Sequence, residues 1–323
     1  MKQDTKKTLT LCMLLVFYII LAIPGMYNIG VTIILPLLAI PLMLYMIKNT
    51  LSRNTHILYH VATLLAIYAL TTSIESCLIY IMGIVVPVYA VSYFYKKKYP
   101  LPNTIMYAGI VNGIALLIYQ GIMKSLGVNY ELEYILLIEE LKKALLPIIT
   151  SQITLASKVV DKGLEVQLVR MFIDNLDLVK QLFASMLIIH AFICTIVQVL
   201  IVNLILRRKN KEMPAFGQLL DFRVSKVLLV ILAGAILLVA MTTDSISGTM
   251  ILGINVVVIM YMLFMLLGFL SVIGIIKKSS INKGLKIISS IFLGVLIIVS
   301  PTLLILFGFL DTVFNFRKVT IVV

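Results

Sequence analysis

Tryptophan is absent from this chain of 323 residues, and acids are few, 14 Asp and Glu against 27 Lys and Arg. Charged residues of both signs reach only 13%, where a soluble domain carries about 25% to wet its surface. That shortfall excludes a soluble enzyme, and the high apolar content excludes a disordered tail. Cysteine is scarce as well. Cys12, Cys77 and Cys194 all fall in apolar stretches, with no CxxC pair and no His at metal-ligand spacing; this excludes a disulfide scaffold and a zinc framework. What fills the chain instead is apolar, 61% of residues, with a mean hydropathy of +1.11. A helix of about 20 apolar residues crosses a bilayer, and such runs recur along the chain. The implied fold class is all-α, a polytopic integral membrane helical bundle.

Apolar runs set against charged breaks give about nine transmembrane helices, with eight or ten as the neighbouring counts. The candidate spans are 8–25, 29–47, 57–72, 77–95, 104–123, 182–206, 226–242, 249–276 and 287–310. Only Thr71–Glu75 separates the third from the fourth. The first is read as a retained helix, because Pro24, Gly25 and Met26 offer no small-residue cleavage site. The chain thus divides into a five-helix membrane part (1–123), an extracytoplasmic amphipathic segment (124–180) and a four-helix membrane part (181–323).

A net charge of +13 invites a nucleic-acid partner, but the basic residues punctuate the gaps between spans and share no face. No nucleic acid is expected. The charges fix orientation instead, since cytoplasmic loops collect Lys and Arg. Lys2, Lys6 and Lys7 precede the first span, Lys48 and Arg53 follow the second, and Lys96–Lys98 follow the fourth. Arg207, Arg208, Lys209, Lys211, Arg223 and Lys226 follow the sixth, and Lys277, Lys278, Lys283 and Lys286 the eighth. The opposing short loops around Tyr27, Glu75 and Asp244 hold no basic residue. The reading is a cell-membrane protein with a cytoplasmic amino terminus and, for nine spans, an outside carboxyl terminus.

The segment between Lys124 and Lys180 breaks the short-loop pattern, yet it is itself patterned. Tyr134, Ile138, Leu141, Leu145 and Ile148 recur at helical spacing as one apolar face, and Glu139 stands four residues before Lys143 on the other. After Pro147 and Gly163, Leu164, Leu168, Met171 and Phe172 form a second amphipathic stretch. Two interfacial or capping helices are expected.

The chain has no HExxH, GxSxG, Walker-type or GxGxxG motif and no EF-hand loop. No enzymatic activity, metal or cofactor is therefore expected. Polar groups at membrane depth become the candidates, because they are costly there and face a bundle interior or water. Asn112, Tyr119 and Gln120 lie in the fifth span, beside a Gly109–Gly113 pair suited to close helix approach. His190, Cys194 and Gln198 share one face of the sixth; Gly253, Asn255, Gly268, Ser271 and Gly274 lie in the eighth. Asn112, Tyr119, Gln120, His190, Gln198 and Asn255 are the candidate cavity-lining or coupling residues, with helix packing as the plain alternative for each. Pro301 predicts a kink in the ninth span. His56 and His60 read as interfacial edge residues.

The sequence is most distinctive at Gly308-Phe309-Leu310-Asp311-Thr312-Val313-Phe314-Asn315-Phe316-Arg317-Lys318. Through Gly308, Asp311, Phe314, Asn315, Phe316, Arg317 and Lys318 the chain resembles the YybS-like family of uncharacterised bacterial membrane proteins, with Val313 where that signature has Trp. The resemblance implies about eight or nine helices with one long loop, and a distant likeness to vitamin-uptake subunits and rod-shape membrane proteins. It implies no activity. Six residues along a continuous helix would leave Asp311 and Arg317 about 120° apart. So either the helix ends between them and Arg317 folds back, or each finds another partner at the outer interface, with Glu75, Asp244 and the long segment's acids within the same predicted side. A solvated, snorkelling Arg317 is the simpler alternative.

Two functions fit this composition. One is a transporter-like or small-molecule-binding membrane component; the other is a structural or regulatory membrane protein in envelope assembly, cell shape or sporulation. The expected partners are the lipid bilayer and either a membrane protein or a further copy of the chain.

Overall fold

The computed structural model describes residues 2–25, 37–49, 52–156, 162–208, 214–242, 247–318 and 321–322. The loops read around Tyr27 and Asp244, and Lys209 and Lys211, lie outside the described residues. Helices follow one another in the order α1 Lys2–Gly25, α2 Ile40–Lys48, α3 Arg53–Thr71 and α4 Ile74–Tyr80, then a π-turn Ile81–Val85 that runs into α5 Val86–Lys96. Next come α6 Leu101–Ser125, α7 Tyr130–Ala156, α8 Lys162–Lys180 and α9 Phe183–Arg207. A 3-10 turn at Phe216–Asp221 leads into β1 Phe222–Arg223, followed by α10 Val227–Ala240, α11 Gly248–Lys278, α12 Lys283–Val299, α13 Pro301–Phe314 and β2 Ile321–Val322. By contact the chain forms two compact units, 1–119 with 188–226 and 263–323, and 120–187 with 227–262. They interleave along the chain.

Among the described residues, four helices are long and apolar enough to cross a membrane: Ile74–Lys96, Leu101–Ser125, Phe183–Arg207 and Gly248–Lys278. Shorter apolar helices cover Lys7–Ile20, Val227–Ala240 and Pro301–Phe314. The narrow gap between the third and fourth spans is a true break. Thr72 turns left-handed at φ 52°, and the Ser73 side chain accepts the Ser76 N–H to start α4. In the first unit α1, α3 and α4 pack on one another, and α2 packs on α5.

The ninth span is not one helix. α12 ends at Val299, Ser300 leaves helical conformation, and Pro301 opens α13. The direction of α13 is fixed by two glycines. A Cβ on Gly268 would stand 1.8 Å from the Leu304 carbonyl oxygen, and one on Gly308 1.9 Å from that of Phe264. Each glycine therefore lies against the carbonyl four residues before the other, and with Gly274 and Lys278 near the end of α11 meeting Arg317 just past the end of α13, the two helices run parallel. Pro301 is then about 10 Å before the crossing and Lys277 about 14 Å beyond it, at 1.5 Å per residue. α12 starts beside Lys277, whose carbonyl accepts from Lys286 Nζ at 3.0 Å, and its 17 residues reach about 25 Å. Its length matches that separation only if it runs back antiparallel to both neighbours. What the sequence offered as a kinked span is a helical hairpin with both ends at one pole.

This changes where the carboxyl terminus lies. β2 pairs in parallel with β1, Phe222 opposite Ile321 and Arg223 opposite Val322. The terminus thus shares a side with the segment after α9, and an outside terminus combined with an inside 214–226 segment is overturned. The parity of nine full spans produced the error.

In the second unit α7 and α8 pack along each other. Tyr134 and Ile138 face inward as expected, with the Tyr134 hydroxyl donating to the Val179 carbonyl at 2.9 Å. Leu141 and Ile148 do not: they are 45% and 57% exposed. The buried stripe shifts to the stem of Lys142, whose ammonium reaches Asp177 at 3.0 Å. Glu139 pairs with Lys180 rather than Lys143. Nor does Pro147 end the helix, which continues through it to Ala156; Pro147 and Lys143, whose carbonyl it frees, are both exposed.

Candidate functional site

The C-terminal signature assembles the most heavily bonded polar site among the described residues. α13 ends at Phe314 because Asn315 turns left-handed, φ 52°, with its N–H donating to the Asp311 carbonyl at 2.8 Å. That reversal brings Arg317 back over the helix end. Its Nε and Nη2 donate to Asp311 Oδ2 at 2.9 and 2.7 Å, with both side chains essentially inaccessible to solvent. Nη1 donates to the Leu220 carbonyl at 2.6 Å and Nη2 to that of Phe222 at 2.5 Å. Lys278 Nζ donates to the Arg317 carbonyl, and Arg223 Nη2 to the Thr312 carbonyl, each at 3.0 Å. A guanidinium offers five N–H groups in a planar fork, which suits a site that must bind a carboxylate and two carbonyls at once. Of the alternatives read from the sequence, the helix ends and Arg317 folds back; Glu75, Asp244 and a solvated arginine are all displaced by Asp311 itself. Gly274 makes room, since a Cβ there would meet Arg317 Cδ at 3.1 Å. The remaining signature residues have simpler parts. Gly308 permits the helix crossing, Lys318 closes the turn through its N–H to the Asn315 carbonyl, and the rings of Phe314 and Phe316 stack at 5.6 Å while remaining exposed.

A second set of polar contacts joins α6 to α9. Asn112 Nδ2 donates to Thr195 Oγ1 at 2.8 Å, while Asn112 Oδ1 is buried without a protein partner. Gln198, three residues after Thr195 and fully buried, shares that face of α9. Further along, Asn203 accepts from the Tyr95 hydroxyl and donates Nδ2 to the Pro214 carbonyl at 3.0 Å. The Gly109–Gly113 pair packs as the small-residue spacing suggested: a Cβ on Gly109 would strike the Phe192 ring at 2.7 Å, and Gly113 faces Ile188. Tyr119 is buried and Gln120 half-buried on the same helix. His190, half-buried, meets Cys194 with Nε2 3.5 Å from the thiol sulfur. Asn255 is a helix clamp in the other unit. Its Oδ1 accepts the Ser185 N–H, and its Nδ2 donates to the carbonyls of Gln181 and Ile251, all at 2.8 Å.

His60 was missed by the sequence reading. It is buried, only 9% exposed, and its Nδ1 lies 2.9 Å from the Tyr80 hydroxyl. The rings of Tyr59 and Tyr89 stand 5.1 and 5.5 Å from its own, and Tyr18 lies 6.1 Å from Tyr80. His60 Nε2 and Ser76 Oγ are buried with no protein partner. Ser76 and Tyr80 are one turn apart on α4, directly before the π-turn. Such turns are rare and concentrate at functional sites, and here Pro87, which lacks an N–H, follows closely. The available signal was the recurrence of His and Tyr at helical spacing in the third and fourth spans.

Among the described residues no group of three or more His, Cys, Asp or Glu could hold a metal. No curated protein and no solved structure matches the chain. A membrane-protein family matches residues 14–312, a span that contains Asp311 and stops short of Arg317. With nearly the whole helical array inside that span, the chain belongs to the family described as "Predicted membrane protein (DUF2232)".

Proposed function

We propose that this protein binds a small polar molecule within its helical bundle, as a transporter-like membrane component without catalytic activity. The observation that carries the reading is a set of two buried atoms without a protein partner, His60 Nε2 inside a ring of tyrosines and Ser76 Oγ one turn before Tyr80. An unsatisfied buried polar group costs about 1–3 kcal/mol, a cost that a bound molecule with a donor and an acceptor would offset. The π-turn beside Tyr80 and the hairpin of α12 and α13 add irregular backbone of the kind that membrane proteins keep where it lines a cavity or is buried in protein. The likeness to YybS-like proteins, and through them to vitamin-uptake subunits, points the same way. The positive-inside pattern gives the reading a cytoplasmic amino terminus.

Native mass spectrometry of the protein in nanodiscs tests this. A small-molecule adduct that disappears in His60→Ala/Ser76→Ala supports the reading; an adduct-free protein, or one whose adduct survives that variant, overturns it. The second reading, a structural or regulatory protein, is favoured by the exposed, stacked Phe314 and Phe316, an aromatic pair suited to a protein contact. A stoichiometric protein partner in the same spectra would select it.

A further inference from the structure

At the pole where α12 begins, Lys277 to Lys286 place four lysines in ten residues, with no acid among them. Among the described residues, the acids brought to that pole are Asp311, which Arg317 occupies, and Asp221 in the turn before β1. Lys277 and Lys278 end α11, while Lys283 and Lys286 open α12. An open groove of about 380 Å³ lies there, lined by Lys283, Lys286, Ile287 and Ile291. These four recur at helical spacing, so the two ammonium groups cap an isoleucine track. Ile287 and Ile291 are 54% and 64% exposed. α12 continues with an outward apolar face through Ile288, Phe292 and Val295. The hairpin geometry turns that face along the direction of α11, a long apolar helix that would cross the bilayer.

We propose that this groove is a binding site for an anionic phospholipid. Its phosphodiester would sit between Lys283 and Lys286, and an acyl chain would follow Ile287 and Ile291. Charge complementarity commits the site to an anion, since clustered lysines beside a membrane helix attract acidic headgroups. The apolar track commits it to an anion with a hydrocarbon tail. A zwitterionic lipid would satisfy the track but bring its own cation against the lysines. A free phosphate would satisfy the lysines and leave the track uncovered.

The test uses the full chain in an uncharged detergent, with unfolding followed by circular dichroism because there is no tryptophan to report. Adding phosphatidylglycerol should raise the unfolding midpoint by about 5 °C at saturation, clearly more than phosphatidylcholine does. Lys283→Gln/Lys286→Gln should lose most of that difference, and Lys96→Gln/Lys97→Gln should keep it. Equal shifts with the two lipids overturn the proposal. So does full retention by the groove variant, or equal loss in both variants, which would mean diffuse attraction to net charge. A matching shift from glycerol phosphate alone would make this a soluble-anion site and overturn the lipid assignment. Should the groove variant fail to fold, wild-type protein in nanodiscs of equal phosphatidylglycerol and phosphatidylcholine decides. Preferential retention of phosphatidylglycerol on release into the gas phase supports the site, and indiscriminate retention overturns it.

Discussion

Two ion-pair sites in this molecule use the same chemistry in opposite surroundings. Asp311 and Arg317 are sealed, with side chains 2% and 1% exposed, whereas Lys180 and Asp177 between α7 and α8 keep 18% and 45%. The sealed pair is surrounded by further acceptors, so every part of the guanidinium fork has work. The open set shares one ammonium between Glu139 and Asp177, with Lys142 also on Asp177. Burial makes a charge pair costly to break, because the survivor is left desolvated; solvent and salt weaken an open pair. Arg317 therefore fixes the path of the chain, while the open set adjusts how two amphipathic helices register.

The contrast is broken most sharply at Arg317. Arg317→Ala strands Asp311 and two carbonyls and should cost about 3–5 kcal/mol, seen as a collapse in the yield of monodisperse protein on gel filtration. Lys318→Ala should leave that yield near wild type. Equal behaviour of the two would reduce the signature to a surface anchor. Next is Gly308→Ala, whose new Cβ would meet the Phe264 carbonyl oxygen. Helix separation of this kind should cost about 1–3 kcal/mol, read as a lower unfolding midpoint, and an unchanged midpoint would deny the crossing. Smaller again is Lys180→Ala, which should shift the midpoint by less than either change above and do so less at high salt; a salt-independent loss would mean the site is more buried than its exposure says.

The smallest effect is on pH. Hydrogen bonds from Lys180 and Lys142 hold the Asp177 carboxyl below its usual range, and Lys180 does the same for Glu139, while those acids raise Lys180. Depressed carboxylates stabilise fully above their unfolded values, near pH 4, and lose that contribution as pH falls through the folded ones. The raised lysine contributes fully below its unfolded value, near pH 10.4, and loses it as pH rises through the folded one. Protection of the α7 and α8 amides, relative to their intrinsic exchange rates at each pH, should thus be highest between those limits. Equal protection at pH 3 and pH 7 would remove the pairs from the account.

Much of this is legible in the sequence. Hydropathy located the long helices, and a family match over residues 14–312 agrees that this is a membrane protein. The six-residue separation of Asp311 and Arg317 already offered a helix end with Arg317 folded back as one of its alternatives, and Thr71–Glu75 already marked a break. Other features were hidden for physical reasons. Periodicity gives a face but not its centre, so Leu141 was placed inward by spacing that Lys142 fits as well. A histidine near the end of a run looks interfacial until its tyrosine neighbours, contributed by other helices, surround it. The hairpin was lost because hydropathy sums apolar residues without direction, and the apolar run 287–310 passes from α12 into α13 with only Ser300 and Pro301 to mark the reversal. One clue was present: Arg317 and Lys318 placed outside violate the charge rule that oriented everything else.

The Arg317 tie also orders events in time. Arg317 is synthesised after every helix that it locks, so α11, α12 and α13 are already made when the guanidinium becomes available to reach Asp311 and the carbonyls of Leu220 and Phe222. Until then the hairpin is tethered through its first turn, the glycine crossing and the Arg223–Thr312 hydrogen bond, and β1 waits without β2. Closure of the pole is thus a late step of biogenesis, and a chain released before residue 317 would insert with its basic end still open.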